Sequence, residues 1–176
     1  MEKIIILIIS LFFTFSLLAQ DKKHSYILFE VAVPIKGNPD RGETDLNGNT
    51  NNLWFLPDGL SAKLGYGIHY KKWAAVGIHS GIDWKGSEKL VVVPVFANLR
   101  LSPNIGDDTR ISIQTGYGKS FAIGRGNLSS DYKKLSLGIE NSDGLSLFVE
   151  FAQYGFTLNN PEKIGSISLG ISLISF

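Results

Sequence analysis

The stretch LSAKLGYGIHY, residues 60–70, places an apolar side chain at every second position. A period of two is typical of a β-strand, because successive side chains point to opposite faces of a sheet. The pattern therefore predicts one long strand whose two faces differ in chemistry. One face carries Leu60, Ala62, Leu64, Tyr66, Ile68 and Tyr70, and the other carries Ser61, Lys63, Gly65, Gly67 and His69.

The same alternation recurs along the rest of the chain. Clusters of Gly, Asn, Pro and Lys separate the alternating stretches, as expected for turns. After the first twenty residues, no segment of useful length has the helical period of about 3.6 residues. The pattern predicts an all-β chain with eight strands, at about residues 25–35, 58–70, 73–84, 90–101, 110–121, 132–140, 145–156 and 164–176.

The polar face of these strands is rich in glycine. Eight of the 19 glycines fall there, at positions 65, 67, 77, 81, 116, 118, 138 and 170. Glycine weakens a strand that faces water, whereas small residues inside a narrow barrel leave room for large ones. We therefore expect the polar face to line a lumen and the aliphatic face to contact lipid. The predicted fold is an eight-stranded antiparallel up-and-down transmembrane β-barrel.

The alternative is a soluble secreted β-barrel that binds an apolar ligand in its interior. It requires Ile, Val and Leu inside and Gly and Ser in water. Strand length favours the membrane, because a tilted crossing needs about 9–11 residues whereas globular strands usually have about 5–6. Aromatic residues near strand ends are typical of interfacial girdles, to which we assign Tyr70, Trp73, Trp84, Phe121, Tyr132 and Phe176.

The first twenty residues are typical of a secretory signal peptide. A short charged start precedes an apolar run from Ile4 to Ala19. This run is short for a membrane-spanning helix, which needs about 20 residues. We predict a signal peptide at residues 1–20, with an uncleaved anchor as the alternative, and an outer-membrane β-barrel domain at residues 21–176.

Composition excludes several function classes. The 17 basic and 16 acidic residues give a net charge of +1, so there is no basic excess that would favour nucleic acid. The chain contains no cysteine, which excludes disulfides, thiolate metal sites and a cysteine nucleophile. We predict no cofactor and no metal site.

Several short motifs resemble the small outer-membrane β-barrel domain proteins of Gram-negative bacteria. The resemblance covers the whole chain after residue 20 and implies outer-membrane location. It also implies that the terminal Phe176 is recognised by the barrel-assembly machinery. These motifs are architectural and imply no catalytic residue. They are Gly65-Tyr66-Gly67, Gly116-Tyr117-Gly118, and the segment from Gly77 to Asp83 leading into Pro94 to Arg100.

Two positions depart from the family pattern. Ile174 and Phe176 have the opposite parity to the apolar residues of 167–173, so we expect a bulge in the last strand or a strand end that leaves the sheet. Pro94 lies inside a strand, although a closed barrel has no free edge for it, so we expect a bulge or a projecting segment there.

Charged residues on the polar face predict an ionic plug in the lumen. Charges inside a barrel must pair or be hydrated. We expect Arg100 to bridge Glu140 and a neighbouring acid, since a barrel of eight strands is too narrow for an open channel. The predicted network comprises Glu30, Lys63, His69, Arg100, Glu140 and Glu150.

The predicted outward loops are the best candidates for binding. Residues 36–57 form the longest connection, and residues 122–131 form another. Long loops on a rigid scaffold commonly carry function. We assign Asp40, Arg41, Asp45 and Trp54 to a surface-recognition site.

No catalytic constellation is evident. His79 and Ser80 are adjacent, so they point to opposite faces of a strand and cannot form a Ser–His pair. We predict a non-enzymatic, porin-like barrel with a structural or surface-recognition role. A lipid-modifying enzyme of the outer membrane is a second alternative. The expected partners are outer-membrane lipid, the barrel-assembly machinery and a surface ligand of unknown identity.

Overall fold

A computed structural model describes residues 24–44, 48, 50–123, 128–156 and 164–176. The predicted signal peptide at residues 1–20 lies outside these ranges. Within them the chain forms nine strands, and no helix there is long and apolar enough to cross a membrane. The strands are β1 (Ser25–Gly37), β2 (Phe55–Pro57), β3 (Gly59–Tyr70), β4 (Ala74–Lys85), β5 (Leu90–Leu101), β6 (Thr109–Ile123), β7 (Ser129–Asn141), β8 (Leu145–Tyr154) and β9 (Ile164–Ser175).

The strands close into an antiparallel barrel with eight strand positions. From β3 to β9 each strand pairs with the next, and β9 pairs with β1. Strands β2 and β3 share one position beside β1, because β3 pairs with residues 25–32 of β1 and β2 pairs with residues 35–37. Asp58 separates β2 from β3. The predicted eight-stranded up-and-down fold is confirmed.

The barrel has an apolar outside and a polar inside. Outward residues such as Ile78 and Leu147 are 63% and 68% exposed, whereas Glu30 and Lys63 are each only 2% exposed. A continuous apolar belt of this kind is incompatible with water but matches the hydrocarbon core of a bilayer. The orientation contradicts the alternative of a soluble barrel with an apolar interior.

Strand boundaries agree with the sequence pattern to within a few residues. The structure adds the short β2 and extends β6 and β7 beyond their predicted ends. It ends β8 at Tyr154, two residues before the predicted end at 156. Where a strand ends depends on which residues of the neighbouring strands remain in hydrogen-bonding position. The observed ends therefore differ from the predicted ends, whereas the alternation of the side chains is as predicted.

Neither predicted bulge is present. In β9, pairing with β1 continues in one register from Ile167 to Ser175, so Ile174 simply points inward and is 3% exposed. In β5, the residues on both sides of Pro94 keep the same register with β4. The pairing is interrupted at two positions, Gly81 opposite Pro94 and Ile82 opposite Val93; Pro94 has no N–H to donate, and no residue is inserted.

The barrel has two ends that differ in their connections. We call the end with His24 and Phe176 the terminal end, and the opposite end, where β1 leads into residues 38–54, the loop end. Strands β3 and β4 are joined at the terminal end by a tight turn in which Lys71 and Lys72 both have positive φ, 49° and 62°. The longest described connection lies at the loop end, as predicted.

Candidate functional site

Charged side chains meet across the middle of the lumen. Lys63 Nζ lies 2.5 Å from Glu150 Oε1, and Lys134 Nζ lies 2.5 Å from Glu30 Oε2 and 3.0 Å from Glu150 Oε2. These four residues stand on β3, β8, β7 and β1. The pairs Lys63–Glu150 and Lys134–Glu30 join strands that are not adjacent in the sheet, so these ion pairs span the interior. All four side chains are buried, and we call them the central charge cluster.

Hydrogen bonds extend the central charge cluster toward both walls. On one side Asp83 lies 3.5 Å from Lys63 Nζ and accepts hydrogen bonds of 2.5 Å from Tyr154 Oη and from Ser61 Oγ. On the other side Gln114 Nε2 donates to Glu30 Oε1 at 3.0 Å, and Asn98 Nδ2 donates to Gln114 Oε1 at 3.1 Å. The network links buried polar groups from strands all around the barrel, as buried polar groups require.

A second ion pair lies nearer the terminal end. Arg100 Nη2 donates to Glu140 Oε2, and Arg100 Nε donates to Ser102 Oγ at 3.0 Å. The predicted pairing of Arg100 with Glu140 is therefore present. The second acid expected beside Arg100 is not, because Ser102 takes that place. Arg110 instead approaches Glu140, with Nη1 and Oε1 4.0 Å apart.

Two apolar clusters cap these polar layers. The cap at the loop end consists of Leu90, Val92, Phe96, Ala122, Tyr132, Ala152, Tyr154 and Phe156. The cap at the terminal end consists of Tyr26, Leu28, Ala75 and Ile174, with Phe176 packed against it. The lumen is thus filled in layers by apolar and paired polar side chains, which is the arrangement of a plugged barrel.

His69 is not part of the ionic network. It lies at the terminal end of β3, where its Nδ1 accepts a hydrogen bond of 3.2 Å from the backbone N–H of Lys72. Its ring packs edge-on against Phe176 at 4.7 Å between centroids. The prediction was wrong for this residue because the last inward position of the strand lies beyond the acids of the lumen.

Two of the six predicted girdle residues face inward. Tyr132 is fully buried in the loop-end cap, and Phe176 packs against the terminal-end cap. Tyr132 has the same parity as Lys134, which points into the lumen, so the alternation itself could have excluded it. The other four are exposed on the outer face, with Trp84 and Phe121 near the loop end and Tyr70 and Trp73 near the terminal end.

Lys134, the central cation of the lumen, was not among the predicted residues. It is 3% exposed and contacts both Glu30 and Glu150. Lys134 and Ser136 are two residues apart and so share one face of the strand, which was a usable signal that Lys134 points inward. The adjacent pair Lys133-Lys134, however, resembles a solvated turn. Lys85 was missed in the same way; its Nζ lies 4.7 Å from the centre of the Tyr154 ring.

The first loop, residues 38–54 between β1 and β2, continues the pairing of these two strands beyond the barrel. The N–H of Asn38 donates to the Trp54 carbonyl at 3.0 Å, and the N–H of Gly42 donates to the Asn51 carbonyl at 2.7 Å. The Arg41 guanidinium lies over the Trp54 indole, 3.1 Å from its centre. Asp40 is exposed beside Arg41, whereas Asp45 lies outside the described residues.

His79 lies among aromatic side chains in the lumen. His79 Nε2 is 3.0 Å from Tyr26 Oη, and its ring packs 5.4 Å from Phe96, so its neighbours are aromatic. Over the described part of the chain, no three His, Asp or Glu side chains are grouped closely enough to hold a metal ion.

Comparison with known proteins adds information about the fold. The sequence matches no family model and no curated protein sequence. Neisserial surface protein A (NspA) is similar in structure, with a TM-score of 0.52, 10% identity, and coverage of 85% of this chain and 96% of NspA. The outer membrane enzyme PagL has a TM-score of 0.49 at 12% identity, over 85% of this chain and 97% of PagL. The outer membrane protein Ail of Yersinia pestis has a TM-score of 0.47 at 11% identity, over 86% of this chain and 99% of Ail.

At such identities the likeness to NspA concerns the fold. It agrees with the closed antiparallel barrel described above. The protein is an eight-stranded transmembrane β-barrel of the outer-membrane type.

Proposed function

We propose that this protein is a non-enzymatic recognition barrel, which holds a binding surface at the cell exterior on a scaffold whose lumen is plugged. The observation that carries the proposal is the stacking of Arg41 on Trp54 at the loop end. Arg and Trp are enriched among the residues that dominate binding energy at interfaces. Both lie exposed, in a segment that continues the barrel's own strand pairing.

The exposed surface extends beyond this pair. Leu53, Trp54 and Phe55 are adjacent in sequence and 62–64% exposed. Asn38 Nδ2 donates to the Leu53 carbonyl at 2.9 Å and to Asn51 Oδ1 at 3.0 Å, which fixes the backbone beneath them. A fixed apolar surface with a cation loses little conformational entropy on binding, so it favours recognition of a protein or glycan surface.

The filled lumen supports a scaffold role over a transport role. Ion pairs such as Lys134 with Glu30 span the interior, and apolar caps lie on both sides of them. Moving a solute through would require several buried ion pairs to break together, at a cost of several kcal/mol each. We therefore expect planar bilayers containing the protein to show no steady open conductance.

Binding by whole cells tests the recognition role. Cells producing the wild-type protein would be applied to immobilised extracellular-matrix proteins and glycans, beside cells producing Arg41→Ser/Trp54→Ser. We expect binding by the wild type that the double variant loses, with an unchanged gel shift on boiling as evidence of an intact barrel. Lys89→Ser, an exposed change at the same end, serves as the control variant.

Two results would count against the proposal. Wild-type cells that bind no better than cells without the protein would argue against recognition. Outer membranes whose lipids lose acyl chains only when the wild-type protein is present would favour the alternative of a lipid-modifying enzyme. Mass spectrometry of the extracted lipids distinguishes that outcome.

A further inference from the structure

A groove runs along the outer wall of the barrel over β7, β8 and β9. Its upper part, near the loop end, has a volume of about 580 Å³ and is lined by residues of these three strands together with Ile35. Directly below it, a second recess of about 730 Å³ continues along the same strands toward the terminal end. In contrast to the lumen, this groove opens toward the surrounding lipid.

The residues of the groove form rows across the three strands. The top row is polar and small, because Lys133 pairs with Gln153 and Gln153 pairs with Gly165. The next row is apolar, because Leu135 pairs with Phe151 and Phe151 with Ile167. Further apolar rows follow below, formed by Leu137, Val149 and Leu169 and then by Ile139, Leu147 and Ile171. A polar row above a column of apolar rows matches the chemistry of a lipid headgroup above its acyl chains.

The opposite wall of the barrel lacks such a polar row. At the loop end there, Leu60 pairs with Trp84, Trp84 with Val91, and Val91 with Ile123. All four residues are apolar. The polar row is therefore a feature of the β7–β9 wall. On the opposite wall the apolar belt continues up to the loop end.

Lys133 gives the groove a positive charge. Within the described residues it forms no salt bridge, and its cross-strand neighbours are Tyr117 and Gln153. The nearby lysine on the same outer face, Lys119, is already paired with Asp131 at 2.7 Å. A cation on the lipid-facing wall of a barrel is costly unless it reaches an interface or an anion. Its natural partner is the negatively charged headgroup of a lipid.

Gly165 leaves space beside this charge. A Cβ placed at Gly165 would meet its nearest heavy atom, the Ala152 carbonyl oxygen, only at 4.0 Å. The wall next to Gln153 is therefore open enough for a bulky headgroup. The amide of Gln153 adds a hydrogen-bond donor within the same row as Lys133.

We propose that this groove binds a phosphorylated lipid of the surrounding leaflet. Lys133 and Gln153 hold the phosphate, and an acyl chain lies along β8 over Phe151 and Val149. The charge-assisted contact selects phosphorylated lipids, and the apolar rows distinguish a lipid from free phosphate. The site is separate from the Arg41–Trp54 surface, so its failure and the failure of the proposed recognition role are distinguishable.

Native mass spectrometry of the full chain, assembled in outer membranes and extracted in neutral detergent, tests this site. The probes are lipid A with two phosphates, the same lipid after phosphatase treatment, and inorganic phosphate as a competitor. We expect bound lipid A on the wild-type protein and about tenfold weaker binding by Lys133→Gln, the loss typical of one charge-assisted hydrogen bond. Gly165→Leu, which fills the open space, should weaken binding as well.

Matched controls complete the experiment. Lys89→Gln removes an exposed lysine elsewhere at the loop end, and Gly37→Leu fills a position where an added Cβ would meet no atom within 4 Å. Both controls should bind as the wild type does. Equal binding of the phosphatase-treated lipid, wild-type affinity in Lys133→Gln, or full competition by millimolar phosphate would each overturn the proposal. The last result would indicate a simple anion site.

Discussion

The ammonium group of Lys134 on β7 lies 2.5 Å from Oε2 of Glu30 on β1, across the lumen. Strands β8 and β9 separate β7 from β1 in the sheet. No ladder hydrogen bond joins these two strands, so the ion pair contributes a tie that the barrel wall does not provide. The same ammonium lies 3.0 Å from Glu150 Oε2, which makes Lys134 the link between two buried acids.

Removing Lys134 should strongly destabilise the barrel. Lys134→Met leaves Glu30 and Glu150 with fewer cations at the centre of the lumen, and breaking a buried pair typically costs about 3–5 kcal/mol. We expect a loss of this size in the free energy of unfolding. Urea titration in detergent, followed by the unboiled gel mobility, measures it.

The neighbouring lysine supplies the control. Lys133→Met changes an exposed residue on the outer face, so its effect should stay within about 0.5 kcal/mol. Adding Glu30→Gln to Lys134→Met should restore part of the loss, because it removes the unpaired charge. Equal stability of the two lysine variants would contradict the role of the central charge cluster.

Arg100→Leu should also lower stability, although by less than Lys134→Met. Glu140 would lose its bonded partner but would keep Arg110 at 4.0 Å. We expect a loss of about 3 kcal/mol, the lower end for a broken buried pair. The same urea titration applies, with Arg110→Leu as the control because that side chain is partly exposed. An unchanged midpoint in Arg100→Leu would exclude this pair from the plug.

Alternation in the sequence was sufficient to predict the barrel and the orientation of its faces. The reason is physical: a shift of one residue would expose every charged side chain of a strand to lipid, so the register leaves a strong mark on the sequence. Glu30, Lys63, Arg100, Glu140 and Glu150 are all buried in the lumen, as their parity predicted. Parity does not, however, reveal partners.

Partners depend on which strands face each other across the lumen, and no local pattern encodes that. The pairing of Arg100 with Glu140 was predicted, whereas the contacts of Lys134 and of Asp83 with Tyr154 were not. Ile174 shows that the pattern can also predict a distortion that is absent. Its apolar character at an inward position indicated a bulge, but the terminal-end cap accommodates it without one.

Glycines inside the barrel make space for aromatic side chains, and Gly77 tests this. A Cβ at Gly77 would lie 2.4 Å from the backbone carbonyl oxygen of Tyr66 on β3 and 2.6 Å from Tyr26 Oη, which now lies 3.0 Å from His79 Nε2. Gly77→Ala should displace both the Tyr26 side chain and the β3 backbone at Tyr66, and lower the free energy of unfolding by about 1–3 kcal/mol, the usual cost of overpacking. Urea titration again measures the loss.

Two variants isolate the cause of that loss. Gly37→Ala introduces the same methyl group where nothing lies within 4 Å, so it should be neutral. Tyr26→Phe removes one of the atoms that the new Cβ meets and leaves the Tyr66 carbonyl, so combining it with Gly77→Ala should cost somewhat less than the sum of the single changes. Strict additivity would indicate that the Tyr66 backbone, and not Tyr26, resists the methyl group.

The three tryptophans should report three different environments. Trp73 and Trp84 are exposed on the outer wall near opposite ends of the barrel, and Trp54 lies under Arg41 in the first loop. In variants that keep one tryptophan each, with Phe at the other two positions, we expect lipids brominated near the headgroup to quench Trp73 and Trp84. Aqueous acrylamide should quench Trp54 more strongly than either, because interfacial aromatic residues sit at headgroup depth whereas the loop projects into water. Quenching of Trp54 by brominated lipid would place the first loop on the membrane and remove it from the proposed recognition surface.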